Sequence, residues 1–337
     1  MDYTVAMQRA IALSEFGLGK CAPNPIVGAV IIDSTGNIVA EGFHDRMASK
    51  DHAEVIAIAQ AGKNAAGATL VVTLEPCNHH GTTGPCTQAI IDAGISTVVY
   101  AVSDPNVIAA GGAEKLKSAG IKVFDGVLNE EATFSNRAWL TKIKKKRPFF
   151  TWKVATTLDG MIAASDGTSK WISNEVSRAD VQKLRRESDA ILVGTNTVIS
   201  DNPNLTPNGE FHGYTRNPVR VICGERELPA DSKIYNTEAE TVVVKTRDLG
   251  VLVKRLNELD INQVFVEAGS KLASAMVLAG LIDELVIYRA PSLLGAGKVF
   301  FEHETQSTIE DQMRLEHSST EVLGSDIKSI YSFRNGG

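Results

Sequence analysis

One stretch of the chain, from His52 to Cys86, restricts more than any other what the sequence can fold into. It supplies one imidazole and two thiols, at His52, Cys77 and Cys86, and a proline precedes each cysteine. These side chains are ordinary zinc ligands, and three of them leave the fourth position of a tetrahedral zinc site open for water. The fold must therefore bring together residues that lie far apart in the sequence, and we predict a catalytic zinc site.

A carboxylate accompanies these three residues, because Glu54 lies in the same His-Ala-Glu segment as His52. A carboxylate beside a metal can take a proton from water and return it later, so we assign Glu54 to general acid–base catalysis. His-x-Glu followed by Pro-Cys and a second cysteine is the pattern of zinc-dependent deaminases, in which water displaces an amino group from a ring carbon. The usual spacing between the two cysteines is short, whereas eight residues separate Cys77 from Cys86 here.

Two other interpretations of the same residues remain open. A structural zinc site normally has a fourth protein ligand, and His79 or His80 could supply it. The cysteines could also be buried side chains that bind no metal. Glu54 beside His52 and the proline before each cysteine favour the catalytic interpretation.

Composition limits the class of protein. A length of 337 residues suits two domains, and 43% hydrophobic with 22% charged residues describes a globular chain. The net charge of -6 argues against non-specific nucleic-acid binding. Cys21 and Cys223 are left over outside the zinc site, and we expect no disulfide framework, which fits a reducing cytoplasm. We find no signal-peptide pattern and no apolar run long enough for a membrane span, so we expect a cytoplasmic protein.

Strands and helices alternate in the first part of the chain. We predict strands at residues 26–32, 38–43, 69–74, 97–102 and 122–124. A helix should begin at His52, with Asp51 as its cap, and another should begin at Cys86. This alternation predicts a three-layer α/β domain.

A basic run at residues 142–147 could bind nucleic acid, but in an acidic chain we interpret it as a domain junction. The predicted domains are residues 1–146 and 147–337. The second domain opens with a strand at residues 149–155, and no Gly-x-Gly-x-x-Gly follows it, so a Rossmann fold is not favoured. Gly269, before a predicted helix, would let the backbone approach a cofactor pyrophosphate.

Several motifs in this order resemble one family, the bifunctional riboflavin-biosynthesis deaminase/reductases. The deaminase half is matched by Pro23-Asn24-Pro25, Val27-Gly28, Thr73-Leu74-Glu75-Pro76-Cys77, His80-Gly81, Pro85-Cys86 and Asp104-Pro105-Asn106. The resemblance continues through the second half and covers nearly the whole chain.

The resemblance implies a cytidine-deaminase-like first domain and a dihydrofolate-reductase-like second domain. It implies zinc-dependent deamination of the small molecule 2,5-diamino-6-(5-phosphoribosylamino)pyrimidin-4-one, followed by NADPH-dependent reduction of the ribosyl group to ribityl. It also implies a homo-oligomer, either a dimer through the reductase domain or a tetramer.

The resemblance further implies which residues bind the ligands. Asn24 and His44 would bind the deaminase substrate. The reductase substrate positions would be Lys153, Ser169, Trp171, Ser173, Arg185, Asp201, Leu205 and Glu267. The positions that bind the cofactor would be Thr157, Asp159, Gly194, Thr197 and Gly269.

The sequence departs from the family pattern in two places. The loop at residues 45–51 lacks the usual glycine and is longer, which puts the role of His44 in question. The family commonly carries an arginine shortly after its Leu-Thr pair, whereas Pro207-Asn208 follows Leu205-Thr206 here. We therefore expect Arg185 to carry more of the phosphate binding, with Arg216 as a candidate substitute.

Two rival functions stay under consideration. One is a nucleoside or tRNA-adenosine deaminase with an unrelated partner domain, which the acidic charge and the matches between Lys153 and Glu267 disfavour. The other is a non-catalytic zinc module that acts as a binding protein. Zinc content together with ammonia release from the pyrimidine would separate these functions.

Overall fold

A computed structural model describes residues 2–79, 84–106, 111–209, 213–302 and 308–333. The chain divides into two compact units, Met1–Lys146 and Arg147–Gly337, and each has its own hydrophobic core. The His80-Gly81 motif lies outside the described residues. Within the described chain, no helix combines the length and apolarity that crossing a bilayer requires.

The first unit is built from six helices and five strands in its described part. The helices are α1 (Thr4–Glu15), α2 (Ala53–Ala61), α3 (Cys86–Asp92), α4 (Gly112–Ser118), α5 (Asn129–Ser135) and α6 (Arg137–Lys145). The strands are β1 (Gly28–Ile32), β2 (Ile38–Phe43), β3 (Thr69–Leu74), β4 (Thr97–Val102) and β5 (Lys122–Asp125).

These strands form one sheet in the order β2-β1-β3-β4-β5, in which β3, β4 and β5 are parallel. Successive strand residues point to opposite faces, and both faces are buried. One face packs against α2, α3, α4 and α6, and the other packs against α1 and α5. The three-layer α/β arrangement predicted from the sequence is therefore confirmed.

Two glycines let helices lie directly on strand backbones. A Cβ atom at Gly28 would lie 1.9 Å from the carbonyl oxygen of Ala10 in α1. A Cβ atom at Gly42 would lie 2.3 Å from the carbonyl oxygen of Ala53 in α2. This close contact fixes the first turn of α2, which carries Glu54, against β2.

The start of α2 differs from the prediction. The helix begins at Ala53, and His52 itself is the N-cap residue, with an extended backbone at φ -78° and ψ 162°. Asp51 does not cap the helix, because its carboxylate accepts a hydrogen bond from the Ser49 hydroxyl instead. The extended conformation turns the His52 side chain away from the helix and toward the cysteines.

The second unit contains ten strands and four helices in its described part. The strands are β6 (Phe149–Thr156), β7 (Met161–Ala164), β8 (Ala190–Gly194), β9 (Val219–Cys223), β10 (Thr241–Val244), β11 (Gln263–Val266), β12 (Glu284–Arg289), β13 (Gly297–Val299), β14 (Leu315–Leu323) and β15 (Asp326–Phe333). The helices are α7 (Glu175–Arg186), α8 (Thr195–Asp201), α9 (Leu249–Glu258) and α10 (Ser270–Leu278).

An eight-stranded sheet in the order β10-β9-β8-β11-β6-β12-β15-β14 organises this unit. Its first six strands are parallel, and β15 and β14 add to one edge in antiparallel register. Strands β7 and β13 form a separate pair. Because the six strands are parallel, the loops that follow β6, β8, β9, β10, β11 and β12 all emerge at the same edge of the sheet.

A buried ion pair joins the first residue of this unit to its sheet. Arg147 donates two hydrogen bonds to the Asp283 carboxylate, at 2.6 and 2.8 Å. The same carboxylate accepts the backbone N–H of Phe150 at 3.0 Å, and the Arg147 and Asp283 side chains are only 11% and 6% exposed. The pair therefore ties the start of β6 to the start of β12.

Asp283→Ala should lower the free energy of unfolding of the second domain by about 3–5 kcal/mol, because it leaves the Arg147 charge buried without its partner. Urea titrations followed by circular dichroism and tryptophan fluorescence measure the change. The matched control is Glu258→Ala, which removes the carboxylate of an exposed pair with Arg255 and should cost less than about 1 kcal/mol. Equal losses in the two variants would contradict the assigned role of the buried pair.

Candidate active sites

Three side chains converge beside α2 as the zinc prediction requires. His52 precedes α2, Cys77 follows β3, and Cys86 opens α3; their ligand atoms lie within 4.8 Å of one another. The Nδ1 atom of His52 is 3.6 Å from the Cys77 sulfur and 3.2 Å from the Cys86 sulfur. Zinc bonds of about 2.0–2.3 Å at tetrahedral angles place nitrogen and sulfur ligands about 3.6 Å apart, so the cluster fits zinc.

The charge states of the two thiols also suit a cation. Hydrogen bonds from the Cys86 thiol and the His52 ring lower the pKa of Cys77 to about 4, against the effect of burial. The Cys77 sulfur beside it and burial raise the pKa of Cys86. Cys77 is therefore ready to bind as a thiolate, whereas Cys86 would lose its proton when a metal enters.

The alternative of a fourth protein ligand concerned His79 and His80. Among the described residues, the cluster of possible metal ligands consists of His52, Cys77 and Cys86, and His79 is not part of it. His80 lies outside the described residues. In the described geometry, His79 is therefore not the fourth protein ligand that a structural zinc site would need.

Glu54 lies in the first turn of α2 and is only 4% exposed. Burial raises its pKa, although the neighbouring positive charge of His52 opposes the shift. A carboxylate with a raised pKa holds a proton more readily than a solvated one, which suits a group that accepts a proton and gives it back.

Asn24 and His44, the predicted residues of the deaminase substrate site, lie next to the zinc ligands. The His44 ring packs edge-on against the His52 ring, with 5.2 Å between centroids. Its Nε2 atom is 3.3 Å from the Asn24 amide nitrogen, and its Nδ1 atom is 2.9 Å from the Asp51 carbonyl oxygen. Since the amide nitrogen donates and the carbonyl accepts, these contacts assign the proton to Nδ1.

The reshaped loop at residues 45–51 therefore keeps His44 in place through the Asp51 carbonyl. Asp45 folds the loop by accepting backbone N–H bonds from Met47 and Ala48, and it pairs with Lys20 at 3.4 Å. Burial lowers the pKa of His44, which keeps its ring neutral and its Nε2 atom an acceptor.

A second concave site occupies the carboxyl edge of the eight-stranded sheet. It is a cavity of about 770 Å³, and its walls come from the ends of β6 and β11, from α7 and from the loop after α8. All eight predicted reductase substrate positions line it: Lys153, Ser169, Trp171, Ser173, Arg185, Asp201, Leu205 and Glu267.

Three of these residues form a charged cluster. Arg185 donates to both carboxylate oxygens of Glu267, at 2.5 and 2.9 Å, and Lys153 approaches the same carboxylate at 4.0 Å. Burial raises the pKa of Glu267, but the two cations outweigh it and the net shift is downward. Burial lowers the pKa of Lys153, and Glu267 opposes that shift. Because a carboxylate neutralises the Arg185 guanidinium, Arg185 is poorly placed to replace the missing family arginine.

The predicted cofactor positions divide into two groups. Thr197 and Gly269 line the cavity. Gly194 ends β8 at the same edge of the sheet, whereas Thr157 and Asp159 lie in the loop after β6 and do not line the cavity. The Asp159 carboxylate accepts the Thr157 hydroxyl at 2.5 Å and the backbone N–H of Gly295 at 2.7 Å, so it connects two loops of the domain.

Sequence reasoning missed other lining residues, above all Lys233. This exposed lysine follows a Pro-Ala-Asp-Ser segment and carries no motif that marks it. Its backbone N–H donates to the Asn202 side chain at 2.8 Å, which attaches it to the loop after α8. In the described part of the chain its ammonium group makes no ion pair. Arg216, the candidate named from the sequence, is not among the lining residues.

A fully buried arginine supports this wall of the cavity. Arg220, in β9, has 0% exposure and donates to the Ile234 carbonyl at 2.8 Å and to the Asn236 side chain at 2.7 Å. The Asn236 amide in turn donates to the Asn204 side chain at 2.6 Å. These bonds link the loop after α8 to the segment that carries Lys233.

Two family models match the chain. The cytidine and deoxycytidylate deaminase zinc-binding region matches residues 2–102, and the RibD C-terminal domain matches residues 148–329. The riboflavin biosynthesis protein RibD of Mycobacterium tuberculosis is 44% identical over 324 residues, which cover 96% of this chain and 95% of that protein. RibD of Aquifex aeolicus is 42% identical over 345 residues, with 95% and 96% coverage.

Solved structures agree with these matches. Acinetobacter baumannii RibD superposes with a TM-score of 0.89 at 35% identity, and the alignment covers 98% of each chain. A diaminohydroxyphosphoribosylaminopyrimidine deaminase/5-amino-6-(5-phosphoribosylamino)uracil reductase from Thermotoga maritima superposes with a TM-score of 0.86 at 35% identity, again over 98% of each chain.

Cys77→Ser should lose both zinc and deaminase activity, because a hydroxyl is a poor substitute for a thiolate ligand. Elemental analysis of the purified full-length chain should find about one zinc per wild-type chain and far less in the variant. Cys223→Ser is the matched control, since Cys223 is a buried thiol of the second domain, and it should keep its zinc. Full zinc occupancy in Cys77→Ser would contradict the ligand assignment.

Proposed function

The chain belongs to the RibD family of riboflavin-biosynthesis enzymes, and we propose where each of its two reactions takes place. It is a bifunctional enzyme with a zinc-binding deaminase region and a reductase domain. We assign the deaminase to residues 1–146 and the reductase to residues 147–337. The compact units and the ranges of the two family models support this division.

The proposed substrate is 2,5-diamino-6-(5-phosphoribosylamino)pyrimidin-4-one, which is first deaminated on its ring and then reduced on its ribosyl group with NADPH. The name of the Thermotoga maritima relative contains both reactions, which supports this order of chemistry. The net charge of -6 supports a small molecule rather than a nucleic acid as the ligand. The four cysteines form no disulfide with one another, which supports a cytoplasmic enzyme. A homo-oligomer, as a dimer through the reductase domain or a tetramer, follows from the family resemblance.

The observation that carries the deaminase assignment is the three-residue cluster with Glu54 beside it. Bound zinc supplies the Lewis acidity that ionises water near neutral pH. Glu54 accepts the proton from the attacking water and returns it to the departing nitrogen. A carbon–oxygen bond forms, the carbon–nitrogen bond breaks, and ammonia leaves, so the reaction consumes one water.

Asn24 and His44 hold the pyrimidine in this proposal. The Asp51 carbonyl fixes the proton of His44 on Nδ1, so Nε2 is an acceptor that faces the Asn24 amide. An acceptor next to a donor matches the alternating donors and acceptors on the edge of a pyrimidine ring. Because the ring of His44 contacts the ring of His52, the bound base would lie close to the metal.

In the reductase cavity, NADPH supplies the hydride and the residues hold the ribosyl phosphate. Lys153 and Glu267 offer a donor and an acceptor for sugar hydroxyls at the end of β6 and β11. Arg185 keeps Glu267 ionised and oriented through its two hydrogen bonds. The proposed substrate site also includes Ser169, Trp171, Ser173, Asp201 and Leu205. The proposed contacts to the cofactor are Gly194, Thr197 and Gly269. Thr157 and Asp159 order the loop after β6.

The phosphate requires a cation that is not already paired. Lys153 and Arg185 face Glu267, and Arg178 lies against Glu175 and the Trp171 ring. Two other lysines, Lys170 and Lys233, line the cavity without a carboxylate partner in the described chain. Lys170 lies 6.0 Å from the centre of the Trp171 ring, whereas Lys233 is attached to the loop after α8 through Asn202, so we assign the phosphate to Lys233 and to the donors of that loop.

Glu54→Gln should keep zinc but lose deaminase turnover by several orders of magnitude, because an amide cannot accept the proton from water. The test couples ammonia release from the diaminopyrimidine to NADPH oxidation in one assay. The same variant, given the already deaminated substrate, should oxidise NADPH at the wild-type rate. Near-normal ammonia release in Glu54→Gln would refute the acid–base role. Ammonia release by the wild type from adenosine or cytidine compounds instead would point to the rival deaminases.

Lys233→Gln should raise the reductase KM for the deaminated substrate about tenfold or more, since a charge-assisted hydrogen bond contributes about 1.5–3 kcal/mol and 1.4 kcal/mol is a factor of ten. Steady-state kinetics with saturating NADPH measure the change. Arg216→Gln, outside the cavity, is the control and should leave KM unchanged. A raised KM in Arg216→Gln together with an unchanged KM in Lys233→Gln would instead assign the phosphate to Arg216.

A further inference from the structure

The cavity occupies only part of the carboxyl edge of the large sheet. In the strand order β10-β9-β8-β11-β6, the chain proceeds from β8 to β9 on one side, and β11 lies on the other side of β8. Ligands of open parallel sheets lie outside the carboxyl ends of the strands at such a switch point. The cavity lies at the ends of β6 and β11 and includes Val193 of β8 and Thr197 of α8 in its lining, so a dinucleotide that reaches it can extend its other half over β8, β9 and β10.

The segments directly after β9 and β10, residues 224–231 and 245–248, carry three cations and four carboxylates. Lys245 pairs with Glu227 at 2.8 Å, and Arg247 pairs with Glu225 at 2.9 Å. The remaining cation, Arg226, has no carboxylate partner in the described chain. Its Nη1 atom donates instead to the side-chain oxygen of Asn196, at 2.7 Å.

Backbone geometry explains why Arg226 meets Asn196. Gly224, directly after β9, has φ +138°, and a Cβ atom there would lie 2.6 Å from the hydroxyl oxygen of Thr195. The loop after β9 therefore passes against the start of α8, which follows Gly194 directly and carries Thr197. Only glycine permits this approach, because a side chain would collide with Thr195 and the positive φ would strain it.

The geometry points to Arg226 as the residue that reads the 2′-phosphate of the cofactor, an inference that rests on the proposed use of NADPH. Asn196 holds one nitrogen of the guanidinium and leaves its other N–H groups as a fork for two phosphate oxygens. In dinucleotide sites that bind NADH, a carboxylate hydrogen-bonds to the ribose 2′-hydroxyl. In sites that bind NADPH, an arginine accommodates the 2′-phosphate instead. Glu225 and Glu227 are each held by a basic partner, and the Asp248 carboxylate caps α9, so Arg226 is the cation of these segments that faces no carboxylate in the described chain.

The direct test compares two fragments of the cofactor that differ only in the 2′-phosphate. Isothermal titration calorimetry on the zinc-loaded full chain measures the Kd of 2′,5′-ADP and of 5′-AMP. Arg226→Gln should weaken 2′,5′-ADP roughly ten- to a hundredfold, as expected for lost charge-assisted hydrogen bonds, and should leave 5′-AMP within about twofold. Arg226→Lys should recover part of the affinity, because it restores charge without the fork.

Arg255→Gln is the matched control, since it removes an exposed arginine of α9 that pairs with Glu258, and it should change neither Kd. In steady-state kinetics, Arg226→Gln should lower kcat/KM for NADPH while NADH stays unchanged. Unchanged affinity for 2′,5′-ADP in Arg226→Gln would overturn the inference, as would equal losses for both fragments or a wild type that does not distinguish them. Failure of the proposed function shows separately, as absence of NADPH oxidation by the wild type with the deaminated substrate.

Discussion

Parallel strand pairing is the constraint on which both sites depend. Parallel neighbours require a crossover between them, so the loops that follow such strands gather at one edge of the sheet. In the first domain this edge brings Cys77, after β3, to the first turns of α2 and α3. In the second domain it brings together Lys153 from β6 and Glu267, after β11. The candidate functional side chains therefore lie toward the carboxyl ends of the parallel strands, either in a strand, as Lys153 does, or directly after it, as Cys77 and Glu267 do.

Charged residues are paired differently at two places along the carboxyl edge of the eight-stranded sheet. Inside the cavity, Glu267 faces two cations, and this shared carboxylate holds their geometry where all three side chains are largely buried. Isolated charges would be costly there, so each needs a partner. At the loops after β9 and β10 the pairs are exposed, and such pairs contribute little to stability. These pairs engage Glu227 and Glu225, which leaves the Arg226 guanidinium without a carboxylate partner in the described chain.

The sequence predicted those parts whose signal is local. Short apolar runs located the strands of the first domain, several of which are buried along their whole length, and the Pro-Cys segments located the candidate zinc ligands. Other features depend on residues distant in the chain, such as the Arg185–Glu267 pair and the attachment of Lys233 to Asn202. Strand β14 escaped prediction because most of its residues are exposed on both faces, so its sequence lacks alternation. The prediction of Asp51 as the helix cap was wrong because the residue types do not show which partner an aspartate binds, and its carboxylate accepts a hydrogen bond from the Ser49 hydroxyl.

Two separate hydrophobic cores have a thermodynamic consequence. Each domain closes its own interior, with α2 and α4 over the first sheet and α9 and α10 over the second. A ligand that binds only the native state stabilises the cooperative unit that contains its site. Zinc therefore acts on the melting of the first core and a nicotinamide nucleotide on that of the second. We therefore expect a calorimetric scan of this chain to show two unfolding transitions, one for each domain and each dependent on its own ligand. A single melting temperature describes neither transition.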